Sequence, residues 1–430
     1  SSPDALVSRS LLRRRVRLGG GLGNLAPDVL VMSAVALCVA LGFGVVGPAI
    51  TLFAETFGVG ATAAGAVVSV FALMRLVSDL GAGRLVDVIG VRTCLTAGIA
   101  IVAVSSLLAG LSNSYVQLLV LRGIGGLGSA LFGVAAISVV LKVSTAHNRG
   151  RAMSIYRSGF LLGGILGPAV GSGVLVVSLR APFFLYAGTL VLAGTVAVVF
   201  LGRGDTAQAL AAAGRGKRSD QADDEPEGYG SASTPEPTLR SVLRTTEYQS
   251  ALAANLAVGV AVFGLRSAII PLFIVKGLGA SRGWVGVAFL VSALVQTAFM
   301  FPAGRWADTG GRRPALLAGA VVSAAGLVLL GFGGSLAVAI VAMAVFGAGS
   351  AFLGSVPGAL VGDVAGRRSG TVVAVFNMAS DLGAVIGPIL AGWLVDRGSY
   401  EAAFVFGAAV IAAAGLVGLR LPSKPAVVGR

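Results

Sequence analysis

The sequence predicts an all-α membrane protein, with twelve transmembrane helices arranged as two pseudo-symmetric six-helix lobes. Three observations predict it. The first is composition: the 430 residues are 56% hydrophobic and 12% charged, with a mean hydropathy of +0.92, whereas soluble domains carry about 25% charged residues. The second is spacing: apolar runs near the ~20 residues that a bilayer crossing needs begin near residues 29, 63, 93, 115, 150, 181, 249, 284, 314, 335, 370 and 401. The third is duplication. GRLVDVIGVRTCL at 83–95 is answered by GRWADTGGRRPAL at 304–316, so that Gly83, Asp87, Gly90 and Arg92 match Gly304, Asp308, Gly311 and Arg313.

Topology follows from the 32 basic residues. With both termini in the cytoplasm, the outer loops hold only Arg180, Lys276, Arg282 and Arg397, the distribution expected of a multi-pass protein of the cytoplasmic (inner) membrane. The net charge of +14 then reads as topology and as contact with anionic membrane lipids, not as nucleic-acid binding. Residues 1–27 form a basic arm, with Arg13, Arg14, Arg15 and Arg17 expected to lie on anionic headgroups. The first lobe takes 28–202. A cytoplasmic linker takes 203–247; it carries Asp220, Asp223, Asp224, Glu225 and Glu227 and ends in a short basic stretch at 239–244, a solvated composition. The second lobe takes 248–421 and a cytoplasmic tail 422–430. No signal-peptide order opens the chain, so the first span is expected to act as the membrane address.

The duplicated loop resembles the signature loop between helices 2 and 3 of the major facilitator superfamily. Leu85 keeps the family's Leu, Trp306 replaces it, and Val88, Val91 and Thr309 stand where a basic residue is often found. In span 2, Arg75 and Asp79 lie four apart on one helix face, where they can form a structural pair or leave Asp79 as a proton site. In span 4, Arg122 precedes GIGGLG; inside an apolar span these glycines allow close helix approach rather than forming a dinucleotide site. Together they resemble the family's span-4 motif, which is associated with proton coupling. In span 5, Gly163, Gly167, Pro168 and Gly171 resemble the motif of the drug:proton antiporter branch, with Ser172 in place of its last Gly.

The second half repeats the packing residues but not the ionisable ones: Gly163, Gly167 and Pro168 return as Gly383, Gly387 and Pro388, whereas Arg122 becomes Met343, Arg157 becomes Asn377 and Leu161 becomes Asp381. Asp381 falls near mid-membrane, where it reads either as a protonatable coupling residue or as a permanent salt-bridge partner of Arg157. The proton-coupling candidates are thus Asp381, Asp79, Arg122 and Arg157. Candidates for the substrate cavity are Phe43, Arg122, Arg157, Phe160, Phe263, Arg266, Asn377 and Asp381, although phenylalanines at such positions are more often lipid-facing or packing residues. With four intramembrane arginines against two aspartates, either some arginines reach along their stems to headgroups or the cavity prefers anionic or zwitterionic cargo.

The resemblance implies a central cavity worked by alternating access, with the loop of Asp87 holding the inward gate and that of Asp308 doing so more weakly. It implies a monomer that needs no cofactor, draws on the proton gradient, and exports amphipathic drugs or metabolites, with antibiotic resistance as a consequence. Export or flipping of a lipid-like substrate, proton-coupled transport of an organic anion and, more remotely, a non-transporting receptor are the alternatives. An enzyme is not expected. The G-x-S-x-G match at 279–283 lies in a short outer loop without a sheet, His147 is the sole histidine, and Cys38 and Cys94 fall in or beside spans as small apolar residues.

Overall fold

The computed structural model describes residues 27–144, 148–201, 239–365 and 369–422. The basic arm, His147, most of the linker and most of the tail lie outside the described residues. Among the described residues, twelve helices are long and apolar enough to cross a membrane. The first lobe comprises α1 (Pro27–Glu55), α2 (Ala61–Ile89), α3 (Val91–Gly110), α4 (Tyr115–Lys142), α5 (Arg149–Val177) and α6 (Ala181–Phe200). The second comprises α7 (Thr246–Gly277), α8 (Gly283–Thr309), α9 (Arg312–Phe332), α10 (Leu336–Ala365), α11 (Ser369–Arg397) and α12 (Tyr400–Gly418). Residues 239–242 make one helical turn ahead of α7 and bury Val242.

The apolar runs become helices because a chain crossing lipid must satisfy its backbone internally. Their junctions are written in the sequence. Gly90 alone joins α2 to α3 with φ +91° and ψ 147°, and Gly311 opens α9 with φ +100° and ψ 152°. This region is essentially closed to residues with a Cβ, so the second glycine of each duplicated loop makes a sharp joint. Ser114, Thr245 and Ser399 cap α4, α7 and α12 by accepting from Gln117, Tyr248 and Ala402 backbone N–H groups.

Within each lobe the same two helices lie closest. A Cβ on Gly163 would stand 2.6 Å from the Leu37 carbonyl oxygen, and one on Gly167 2.7 Å from the Gly44 Cα, so α5 presses onto α1. Gly383 and Gly387 press α11 onto the Leu256–Val260 stretch of α7 in the same way. Side chains tie both pairs: Ser33 donates to the Ile155 carbonyl at 2.8 Å and Asn255 to the Phe376 carbonyl at 2.6 Å.

An even number of spans puts the start of α1 and the end of α12 on one side of the bundle, the terminal side. On the opposite, far side the lobes are sealed. There α2 meets α11 and α5 meets α8, with backbone so close that a Cβ on Gly65 would fall 2.4 Å from the Pro388 carbonyl oxygen and one on Gly286 2.3 Å from Ser172. On the terminal side the lobes part. The far third of α2, from Ala61 to Ala72, has no exposed residue, whereas from Leu80 to Gly90 only Ala82 and Val86 are buried. The change repeats in α8, buried around Val285–Ala293 and largely exposed from Leu294 to Thr309.

Candidate functional site

At the seam where the lobes begin to part, the Arg75 guanidinium of α2 forms an ion pair with the Asp381 carboxylate of α11. The acid is almost fully buried, 8% of its side chain being exposed, while Arg75 is 42% exposed toward the opening. Burying an ion without a partner is expensive, more so than leaving one half-solvated. This explains why Arg75 reaches across to Asp381 rather than back to Asp79, its neighbour on the same helix face. Asp79 lies one turn nearer the terminal side, half-buried and within electrostatic reach of both groups. Arg157 is exposed on α5, a helix that packs on α1 and α8, and forms no ion pair among the described residues. The two sequence-based pairings, Arg75 with Asp79 and Asp381 with Arg157, are thus replaced by one pair that joins the lobes.

Arg122 is buried in the first lobe. Its guanidinium lies 4.4 Å above the Phe71 ring, and its Nε has no hydrogen-bond partner. The glycines that follow it serve close packing: a Cβ on Gly126 would stand 2.4 Å from the Phe71 carbonyl oxygen, and one on Gly128 2.8 Å from that of Gly98. Phe71 in turn touches Phe43, whose ring centroid is 6.4 Å away and whose surface is partly exposed. Arg266 mirrors Arg122 in the other lobe. It lies 5.0 Å over the Phe289 ring, donates to the Phe289 carbonyl at 3.5 Å and leaves its Nε without a partner. Phe263 is exposed, Asn377 is exposed, and Phe160 is half-buried edge-on to Tyr156.

The duplicated loops differ in their contacts. Asp308 binds Arg312 at 2.6 Å, and Arg312 also reaches Asp363 of α10 at 3.2 Å. In the first copy Arg92 donates to the Val198 carbonyl of α6 at 2.6 Å, and Asp87 is exposed without an ion pair among the described residues. The sequence reading gave the stronger gate role to Asp87; here the second copy is the braced one. A Cβ on Gly83 or Gly304 would meet nothing within 4 Å.

Sequence reasoning missed the contacts that hold the far seal. Asp396 at the end of α11 accepts from the Ala61 N–H at 2.7 Å, the Thr62 N–H at 2.8 Å and the Thr62 hydroxyl at 2.5 Å. It thereby caps the first turn of α2 from the other lobe. A readable signal existed: the residue before α2 is Gly60, which has no side chain with which to cap its own helix. Glu55 of α1 and Lys276 of α7 add a second cross-lobe pair at 2.8 Å. Basic residues of the far side also have structural work: Arg180 binds Ser112 and Asn113, and Arg397 stacks on Trp393.

Comparison with known proteins agrees with this architecture. The family model described as Major Facilitator Superfamily matches residues 32–267 and again 251–429. Multidrug resistance protein 2 of Bacillus subtilis is 24% identical over 363 residues, covering 83% of this chain and 86% of that protein. Quinolone resistance protein NorA of Staphylococcus aureus is 30% identical over 166 residues, 37% of this chain and 42% of that protein. Among solved structures, a bacterial homologue of the human lysosomal transporter Spinster, in an inward-facing and unoccupied conformation, superposes with a TM-score of 0.67 at 15% identity. That match covers 93% of this chain and 96% of the other.

Proposed function

Because the chain belongs to the major facilitator superfamily, a family of transporters, we propose that it is a proton-coupled exporter of amphipathic drugs or metabolites that works by alternating access. The relatives named for multidrug and quinolone resistance support the cargo class. On this reading both termini lie in the cytoplasm, so the terminal-side opening admits cargo from inside the cell and the sealed far side faces out.

One observation carries the proton coupling: the Arg75–Asp381 pair spans the two lobes. A carboxylate that holds an arginine of the opposite lobe ties its own charge state to the separation between the lobes. Protonation removes the acceptor's charge and releases Arg75, so proton binding and lobe movement are linked through one bond. Asp79, beside the pair, gives the released guanidinium a second acid within its own lobe. When the terminal side closes, Gly83 and Gly304 provide the clear surface against which helices of the opposite lobe can settle. Asp87 then gains a neighbour for its charge, so it acts in the closed state while Asp308 stays braced in both.

The test is accumulation of a fluorescent amphiphile in cells making the protein, with and without an imposed proton gradient. The expected result is efflux that stops when the gradient is collapsed. Efflux indifferent to that collapse would sink the proton-coupled reading.

A further inference from the structure

The structure separates the four arginines that the sequence places at membrane depth, Arg75, Arg122, Arg157 and Arg266. Arg75 is matched by Asp381, and Arg157 is exposed. Arg122 and Arg266 have no carboxylate within ion-pair distance among the described residues. Arg122 lies deep inside the first lobe, 3% exposed and covered by Phe71. Arg266 differs in being partly open and in lying where the lobes face each other.

Its segment, Arg266–Ala268, touches α1 and α2 of the first lobe as well as α11 of its own. The guanidinium turns onto α8, where it meets the ring and carbonyl of Phe289. Arg266 stands eleven positions before Gly277 at the far end of α7, about 16 Å of helix, so it lies well inside the span and is not drawn out to headgroups. The turn before it, Gly259–Leu265, is π-helical, a local unwinding that rotates the residues after it and recurs at functional positions. Phe263, three residues earlier, has an exposed ring.

A guanidinium does not give up its proton. With its Nε buried and unpartnered, the rest of its side chain partly open and no acid among the described residues to balance it, Arg266 presents a standing positive charge that an incoming anion would compensate. We propose that Arg266 anchors an anionic head group of the cargo, a carboxylate or sulfonate on an aromatic body, with the exposed Phe263 ring taking part of the apolar body. This rests on the transport reading above and narrows its substrate class to amphiphiles that carry a negative charge.

The test is calorimetric titration of the purified full-length protein, in chloride-free buffer without organic carboxylates or sulfonates, with two probes of one shape: naphthalene-2-sulfonate and 2-naphthyltrimethylammonium. The expected result is sulfonate binding tighter by about tenfold or more, the size of a charge-assisted hydrogen bond. Arg266→Gln removes that preference and Arg266→Lys keeps part of it. Equal affinity of the wild-type protein for both probes overturns the proposal without any variant having to fold. So does a preference that survives in Arg266→Gln, and so does sulfonate binding abolished by physiological chloride, which assigns the site to the inorganic ion. Sulfonate preference in a protein whose efflux ignores the proton gradient upholds the anchor and defeats the coupling; gradient-driven efflux without any preference does the reverse.

Discussion

Asp381 is the residue on which the proposed coupling turns, and its substitution separates a proton site from a mere brace. Asp381→Asn keeps the shape and can still accept a hydrogen bond from Arg75, but it cannot change charge. The expected outcome is folded protein with gradient-driven efflux reduced at least about tenfold, the scale of one lost charged contact; undiminished efflux in the same cells would remove Asp381 from the proton path. Arg122 offers a contrasting case, because the corresponding position of the second lobe holds the fully buried Met343. Replacing a buried, unbalanced ion by a packed apolar chain is often neutral or stabilising, by about 1–4 kcal/mol. Arg122→Met is therefore expected to unfold at the same or a higher temperature in detergent while losing transport, and a large drop in melting temperature would mark Arg122 as structural. The sequence shows that these residues are charged in an apolar span but not what they touch. Arg75 and Asp381 are 306 positions apart, and their meeting depends on how two separately folded lobes slide together.

At the scale of single helices the sequence is far more legible, because lipid leaves few solutions. Every span begins within about three residues of its apolar run, and the repeated glycines mark where α1 meets α5 and α7 meets α11. Those glycines are tight: Gly167→Val would push into the α1 backbone at Gly44, an overpacking that costs about 1–3 kcal/mol. A lower melting temperature with unchanged oligomeric state is the expected readout. Gly90→Ala acts through the joint instead, forcing a Cβ into a glycine-only conformation at about 1–3 kcal/mol; protein yield and melting temperature both fall if the sharp α2–α3 corner is required. What periodicity hid at this scale is the departure of α7 from a plain helix. Its π turns at Gly259–Leu265 and Phe273–Gly277 leave no mark in an apolar run, since every residue there is compatible with either winding.

For the whole molecule, the balance between the two arrangements of the lobes is set by what holds the far side shut. Ala61, Thr62 and Asp396 contribute a helix cap that exists only while the lobes touch there. A cap of this kind is worth about 1 kcal/mol, so Asp396→Ala is expected to shift the population toward far-side opening by about fivefold. Spin labels at Asn113 and Ser335, in far-side loops of the two lobes, report this as a longer distance distribution; an unchanged distribution would show that the cap is incidental. The pseudo-symmetry was visible in the duplicated loops, yet which side is shut was not, because both arrangements use the same helices and the same pattern.

The sealed face also has a pharmacological meaning. On the orientation proposed above, a blocker supplied in the medium meets the Gly65–Pro388 and Ser172–Gly286 backbones locked together. An inhibitor of this resting form must therefore be membrane-permeant and act from within the cell.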